Sequence, residues 1–173
     1  MKIKMTKKMF SSIDNIELGK ACFAPIIPMI RGKSIEIKKQ IYNQLSPEQK
    51  DLFMFSVYYN HAEKSLYEFY WWSAYYYAQP DAWIELKRAL IHFKAKSMLC
   101  ILNELEDFFR EKNYSRNLEN INLSQKDIDN QVDLQNFIQS MFTKFKEISP
   151  ITLNKIGDCI RENPYQFVYL EDV

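Results

Sequence analysis

Leu134-Gln135-Asn136-Phe137-Ile138-Gln139-Ser140-Met141-Phe142-Thr143-Lys144-Phe145-Lys146-Glu147-Ile148 decides the fold class. Leu134, Phe137, Ile138, Met141, Phe145 and Ile148 recur at spacings of three and four, the repeat that lines one face of an α-helix. Gln, Ser, Lys and Glu fill the positions between them and supply a wet face. Upstream, Ser124 stands three residues before Asp127, the spacing of a capping box, so a long helix is expected from there. Ser149-Pro150 is expected to end it and to start a last helix through Leu153, Ile156 and Ile160, which Pro164 closes.

The same reading extends towards the N-terminus. Ser46-Pro47-Glu48-Gln49 combines a capping serine, a proline suited to the first helical position and a glutamine at the box position. Leu52, Phe55 and Tyr59 follow at helical spacing. Leu66, Phe69, Tyr70 and Ser73 form the next face, Trp83, Leu86, Leu90 and Phe93 another, and Met98, Leu102, Leu105 and Phe109 another. Residues 111–123 are polar and Asn-rich and read as the longest internal loop. A short helix fits Ser34 to Gln44. Pro25 and Pro28 argue against a regular helix in CFAPIIPMI, so residues 1–33 are expected to form an irregular arm and residues 34–173 a single helical domain. The tail Tyr165 to Leu170 alternates weakly and reads as an extended strap. The expected fold is therefore all-α: an irregular multi-helix bundle with an extended N-terminal segment.

Composition narrows the function classes. The chain has 173 residues, 47% of them hydrophobic, which suits one domain with a real core. Only 3 glycines are present, too few for the glycine-dependent turns of Rossmann and P-loop sites. The formal net charge is +1, with nine Lys or Arg against three acids in residues 1–45 and fourteen against nineteen in residues 46–173. Cys22, Cys100 and Cys159 are scattered and form no CxxC pair; Cys100 and Cys159 read as core thiols. The N-terminus lacks the apolar core of a secretory signal, and no apolar run approaches a membrane span. A cytoplasmic protein without membrane association is the expectation.

Chemistry-bearing motifs are sparse. His61 and Glu63 give HxE without the later PCxxC of zinc deaminases. His92 shares a helical face with Glu85, and two such ligands do not make a metal site. No catalytic residue, metal or cofactor is assigned. Glu104, Asp107 and Glu111 fall at i, i+3 and i+7 and line one face. The densest feature is Tyr67-Glu68-Phe69-Tyr70-Trp71-Trp72-Ser73-Ala74-Tyr75-Tyr76-Tyr77, more rings than one inward stripe of a helix accommodates. Tyr and Trp combine a large apolar body with a polar handle and are enriched at binding hot spots. No basic residue lies between Lys64 and Lys87, so these rings are poorly placed to stack nucleic-acid bases. The expected contact surface is Tyr67, Tyr70, Trp71, Trp72 and Tyr75 with Glu104, Asp107 and Glu111, for a protein partner or a second copy of the chain. The competing reading is a small-ligand or hydrolytic site in a pocket lined by these aromatics.

From Leu45 onward the order of features resembles the DNA-mimic-protein family. The residues that carry the likeness are Leu45-Ser46-Pro47-Glu48-Gln49-Lys50, the aromatic run after Leu66, the segments Pro80 to Phe93 and Ala95 to Phe109, and Ile160-Arg161-Glu162-Asn163-Pro164-Tyr165-Gln166-Phe167. Lys64-Ser65 stand where the family carries two glycines. The resemblance implies a helical fold over residues 45–168. By likeness to a dimeric, strongly acidic family member it also implies occupation of a transcription factor's DNA-binding surface. That activity needs phosphate-like negative charge in quantity, and a body of −5 beside an arm of +6 is poorly suited to it.

Overall fold

The computed structural model describes residues 2–121 and 123–172. The fold is all-α apart from one pair of strands. In chain order the elements are β1 (Ile3–Thr6), α1 (Lys7–Ser12), α2 (Asn15–Phe23), α3 (Ile27–Ile30), α4 (Ile35–Asn43), α5 (Pro47–Ala62), α6 (Leu66–Tyr77), α7 (Pro80–His92), α8 (Lys96–Glu111), α9 (Gln125–Asn130), α10 (Val132–Glu162) and β2 (Val168–Glu171). Short 3-10 turns lie at Leu118–Asn120 and Pro164–Gln166. Backbone contacts divide the chain into two compact units, Met1–Phe53 with Pro150–Val173, and Met54–Ser149.

In the first unit, the expectation of an irregular arm over residues 1–33 is corrected. Thr6 accepts a hydrogen bond from the Met9 amide and starts α1; Asp14 accepts from Ile16 and Glu17 and starts α2. Pro25 falls between helices. Pro28 occupies the first turn of α3, where a missing N–H costs nothing. Arg161 fixes the turn between α1 and α2: its guanidinium donates to Asn15 Oδ1 at 2.7 Å, to the Phe10 carbonyl at 2.7 Å and to the Ile13 carbonyl. Gly157 is required where α2 meets α10, because a Cβ there would collide with the backbone of Asn15. The capping box read at Ser46 and Gln49 is formed, with both reciprocal bonds at 3.3 Å. The tail expected as an extended strap is a strand over Val168–Glu171. β2 pairs in parallel with β1, Ile3 opposite Val168 and Thr6 opposite Glu171. Leu18, Phe23, Ile26, Leu52, Ile156, Ile160 and Phe167 are buried.

In the second unit, Tyr58, Phe69 and Phe145 form the centre. Phe145 lies 5.0 Å from Phe69 and 6.1 Å from Tyr58, centroid to centroid. Burying the Tyr58 hydroxyl is tolerable because it bonds Ser73 Oγ at 2.8 Å. The α10 stripe is inward as its period implies: Leu134, Ile138, Met141 and Phe145 are buried, with Phe142 beside them. Phe137 and Ile148 are half-buried, and the Phe137 ring stacks on Phe108 at 4.0 Å. Two expectations fail here. Cys100 is exposed, not a core thiol; it lies on the wet side of α8, opposite Met98, Leu102 and Leu105. Ser149-Pro150 does not break α10, which runs for 31 residues. Proline removes one rung of the helical ladder. The turns on either side of it carry side-chain bonds, from Ser149 Oγ to the Phe145 carbonyl at 2.7 Å and from Asn154 Nδ2 to the Pro150 carbonyl at 2.9 Å.

Candidate functional site

The site is organised by α6. Ser65 accepts a hydrogen bond from the Glu68 amide and fixes where the helix begins, and therefore which ring faces which way. At about 100° per residue, Phe69, Tyr70, Ser73, Tyr76 and Tyr77 turn inward and are buried. Tyr67, Trp71 and Tyr75, spaced four apart, and Glu68 and Trp72, also four apart, remain half-buried.

These outward groups brace one another. Trp71 stacks on Tyr75 at 4.9 Å with planes 14° apart, and meets Trp72 edge-on at 5.1 Å. His61, from the end of α5, stacks on Trp72 at 4.0 Å. Trp72 Nε1 donates to Glu68 Oε2 at 2.9 Å, which anchors the indole to its own helix. His61, Lys64, Tyr67, Glu68, Trp71 and Trp72 line a shallow depression of about 370 Å³. The result is a ridge of rings whose rotamers are already limited by stacking.

Of the residues expected at the contact surface, the structure brings Tyr67, Trp71, Trp72 and Tyr75 together. It removes Tyr70, which is 1% exposed. Tyr70 lies on the same side of α6 as Phe69 and Ser73, and its hydroxyl meets that of Tyr114 at 2.8 Å. Glu104, Asp107 and Glu111 are exposed on α8, but two of the three carry a partner: Lys144 Nζ lies 2.8 Å from Glu104 and Arg110 lies 2.6 Å from Asp107. The neighbouring Glu106 is held by Lys87 at 2.5 Å. Partial burial works to raise the Glu106 pKa, but the bond and charge of Lys87, with Arg116 nearby, leave it below the ordinary carboxylate value. The acidic face is thus largely compensated.

Two features escaped the sequence reading. Ile84 and Ile91 on α7 are 62% and 64% exposed. They sit seven residues apart and so share a face, and they fall outside the buried stripe of Trp83, Leu86 and Leu90. The second feature is a cavity of about 660 Å³ in the same unit. Tyr70 and Ala74 of α6, Phe108 of α8, Lys112 just beyond it, Tyr114 of the following loop and Asp127 of α9 contribute to its wall. Tyr114 belongs to no local motif, and the capping box that marks Asp127 at the start of α9 gives no sign that it reaches this cavity. Burial foremost, then the bond between them and the Asp127 charge, raises the Tyr70 pKa; burial is also the main influence raising that of Tyr114.

Among the described residues, no three His, Cys, Asp or Glu side chains come together as metal ligands, and no helix is long and apolar enough to cross a membrane. No family model, curated protein or solved structure matches the chain.

Proposed function

We propose that this chain is a non-enzymatic binding domain whose contact surface is the outward ridge of α6, Tyr67, Trp71, Trp72 and Tyr75, and whose partner is another protein or a second copy of itself. The observation that carries the reading is the stacked arrangement of Trp71 on Tyr75 and of His61 on Trp72, left part-exposed by a helix that buries four other rings. Rings already held in one rotamer lose little side-chain entropy on binding, and contact with a partner removes their apolar area from water. Free thiols, one of them exposed, suit a reducing cytoplasm. DNA mimicry is not part of the proposal, since Lys144 and Arg110 compensate the acidic face of α8.

The test is a double variant, Trp71→Ser with Tyr75→Ser, studied by analytical ultracentrifugation and by pull-down. Removing two ring anchors should weaken association by about tenfold or more, at roughly 1.4 kcal/mol per tenfold, while thermal stability changes little. Unchanged association with unchanged stability would refute the surface.

A second reading has its own support. Tyr70 turns away from the ridge into the wall of the cavity, where Phe108 and Tyr114 also lie. A concave space of this size with a few polar groups suits a small ligand.

A further inference from the structure

We propose that the turn between α3 and α4 seats this chain on an anionic lipid surface, with Met29, Ile35 and Ile37 entering the headgroup layer and Arg31, Lys33, Lys38 and Lys39 meeting its negative charges. The segment belongs to the first unit, and nothing in the α6 reading bears on it.

The segment is built as a projection. α3 and α4 pack on each other. Ile26 before them and Ile41 late in α4 are buried and hold the base, whereas every residue from Arg31 to Gln40 is exposed. The turn is held by its own bonds: the Arg31 amide donates to the Ile27 carbonyl at 2.9 Å and the Lys33 amide to the Ile30 carbonyl at 3.2 Å. Gly32 takes φ 68°, the left-handed region that favours glycine, and Ser34 accepts from the Ile37 amide at 3.5 Å to start α4. Nothing lies within 4 Å of where a Cβ on Gly32 would stand.

The projection carries aliphatic groups into water. Met29 is 36%, Ile37 40% and Ile35 59% exposed. One such side chain is ordinary, but three on a single protrusion call for a partner. Their directions favour one occupant. Ile35 and Ile37 stand two apart on α4, about 160° around its axis. They therefore form no stripe of the kind a helix presents to a protein groove. A lipid interface accepts aliphatic groups that point in several directions at once.

Charge completes the match. Arg31, Lys33, Lys38 and Lys39 share the segment with a single acid, Glu36, which lies near Lys39. Elsewhere in the unit Lys4, Lys7 and Lys20 are answered by Glu171, Asp172 and Glu17. The four cations of the turn form no ion pair among the described residues. Their aliphatic stems let the charged heads stay among lipid headgroups while the isoleucines reach deeper. Nucleic-acid phosphates would answer the cations and leave the aliphatic groups in water. Surface seating requires neither a secretory signal nor a spanning helix, the two features whose absence argues against membrane association.

The full chain is sedimented with vesicles of phosphatidylcholine alone and of phosphatidylcholine with phosphatidylserine. It should bind the mixed vesicles about tenfold or more tightly than the neutral ones, and the difference should shrink on raising salt from about 0.1 M to about 0.5 M. Lys38→Gln with Lys39→Gln should weaken binding to the mixed vesicles by about tenfold or more, at about fivefold per cation near such a surface. Ile35→Ser with Ile37→Ser should weaken it by about tenfold as well. All four side chains are exposed, so both double variants should melt where the parent does. No binding to the mixed vesicles, equal binding to both kinds, or binding that neither pair of substitutions changes would overturn the proposal. Soluble polyglutamate bound as tightly as the mixed vesicles, with no effect of the isoleucine substitutions, would assign the cations to an acidic protein and overturn the lipid surface.

Discussion

Phe145 shows how much one ring carries. It is fully buried and touches Tyr58, Phe69 and Phe142. Phe137, in the same helical stripe, is half-buried with one face on Phe108. Phe145→Ala should therefore lower stability by about 3–5 kcal/mol, the range for deleting a buried phenylalanine, and Phe137→Ala by clearly less. Urea melts of the two variants check the order; equal losses would mean that the ring at 137 is as enclosed as the one at 145. The inward position of Phe145 was legible from spacing alone. The difference between the two was not, because spacing gives a direction on the helix and not the depth of what covers it. Tyr70 teaches the same lesson from the other side. Its neighbours Trp71 and Trp72 share its chemistry, and only the partner hydroxyl of Tyr114, 44 residues away, accounts for where the Tyr70 hydroxyl ends.

At the scale of elements, helices that carry their own stop and start signals were legible, and those held by distant contacts were not. Ser46 with Gln49 and Pro80 at the start of α7 declare themselves locally. β1 and β2 each span only 4 residues, lie at opposite ends of the chain and exist through each other. No local pattern encodes that pairing. The short helices α1 and α2 depend in part on Arg161, likewise remote in sequence. Pro150 misled because a proline's local effect is visible and the side-chain bonds around it are not. The end of α7 gives a sharper test. It closes with Lys94 at φ 54°, a left-handed conformation usually given to glycine, and the following Ala95 amide reaches back to the Leu90 carbonyl at 2.8 Å. A Cβ in this conformation costs about 1–2 kcal/mol. Lys94→Gly should thus raise stability by roughly 1 kcal/mol, offset in part by glycine's larger entropy when unfolded. Thermal melts read this directly, and a loss of stability would show that the lysine side chain contributes more than its backbone strain costs.

For the molecule as a whole, composition excluded more than it identified. Scattered cysteines and scarce glycine argued against zinc ribbons and phosphate loops, and the aromatic run drew attention to α6. The run was legible as an excess of rings. Which of them stay outward was fixed by the Ser65 cap and by packing, and the cavity behind Tyr70 was invisible because loop residues supply half of its wall. The most direct test of the α6 ridge as a contact surface is site-specific photocrosslinking in the native cell. A photoreactive phenylalanine analogue replaces Trp71 or Tyr75 in turn, with the exposed position Lys146, on a different helix, as the control. The account predicts one discrete crosslinked product, a particular protein or a second copy of this chain, from both ridge positions and not from the control, lost when Trp72→Ser is added. Crosslinking from the ridge that is no stronger or more selective than from position 146 would contradict it.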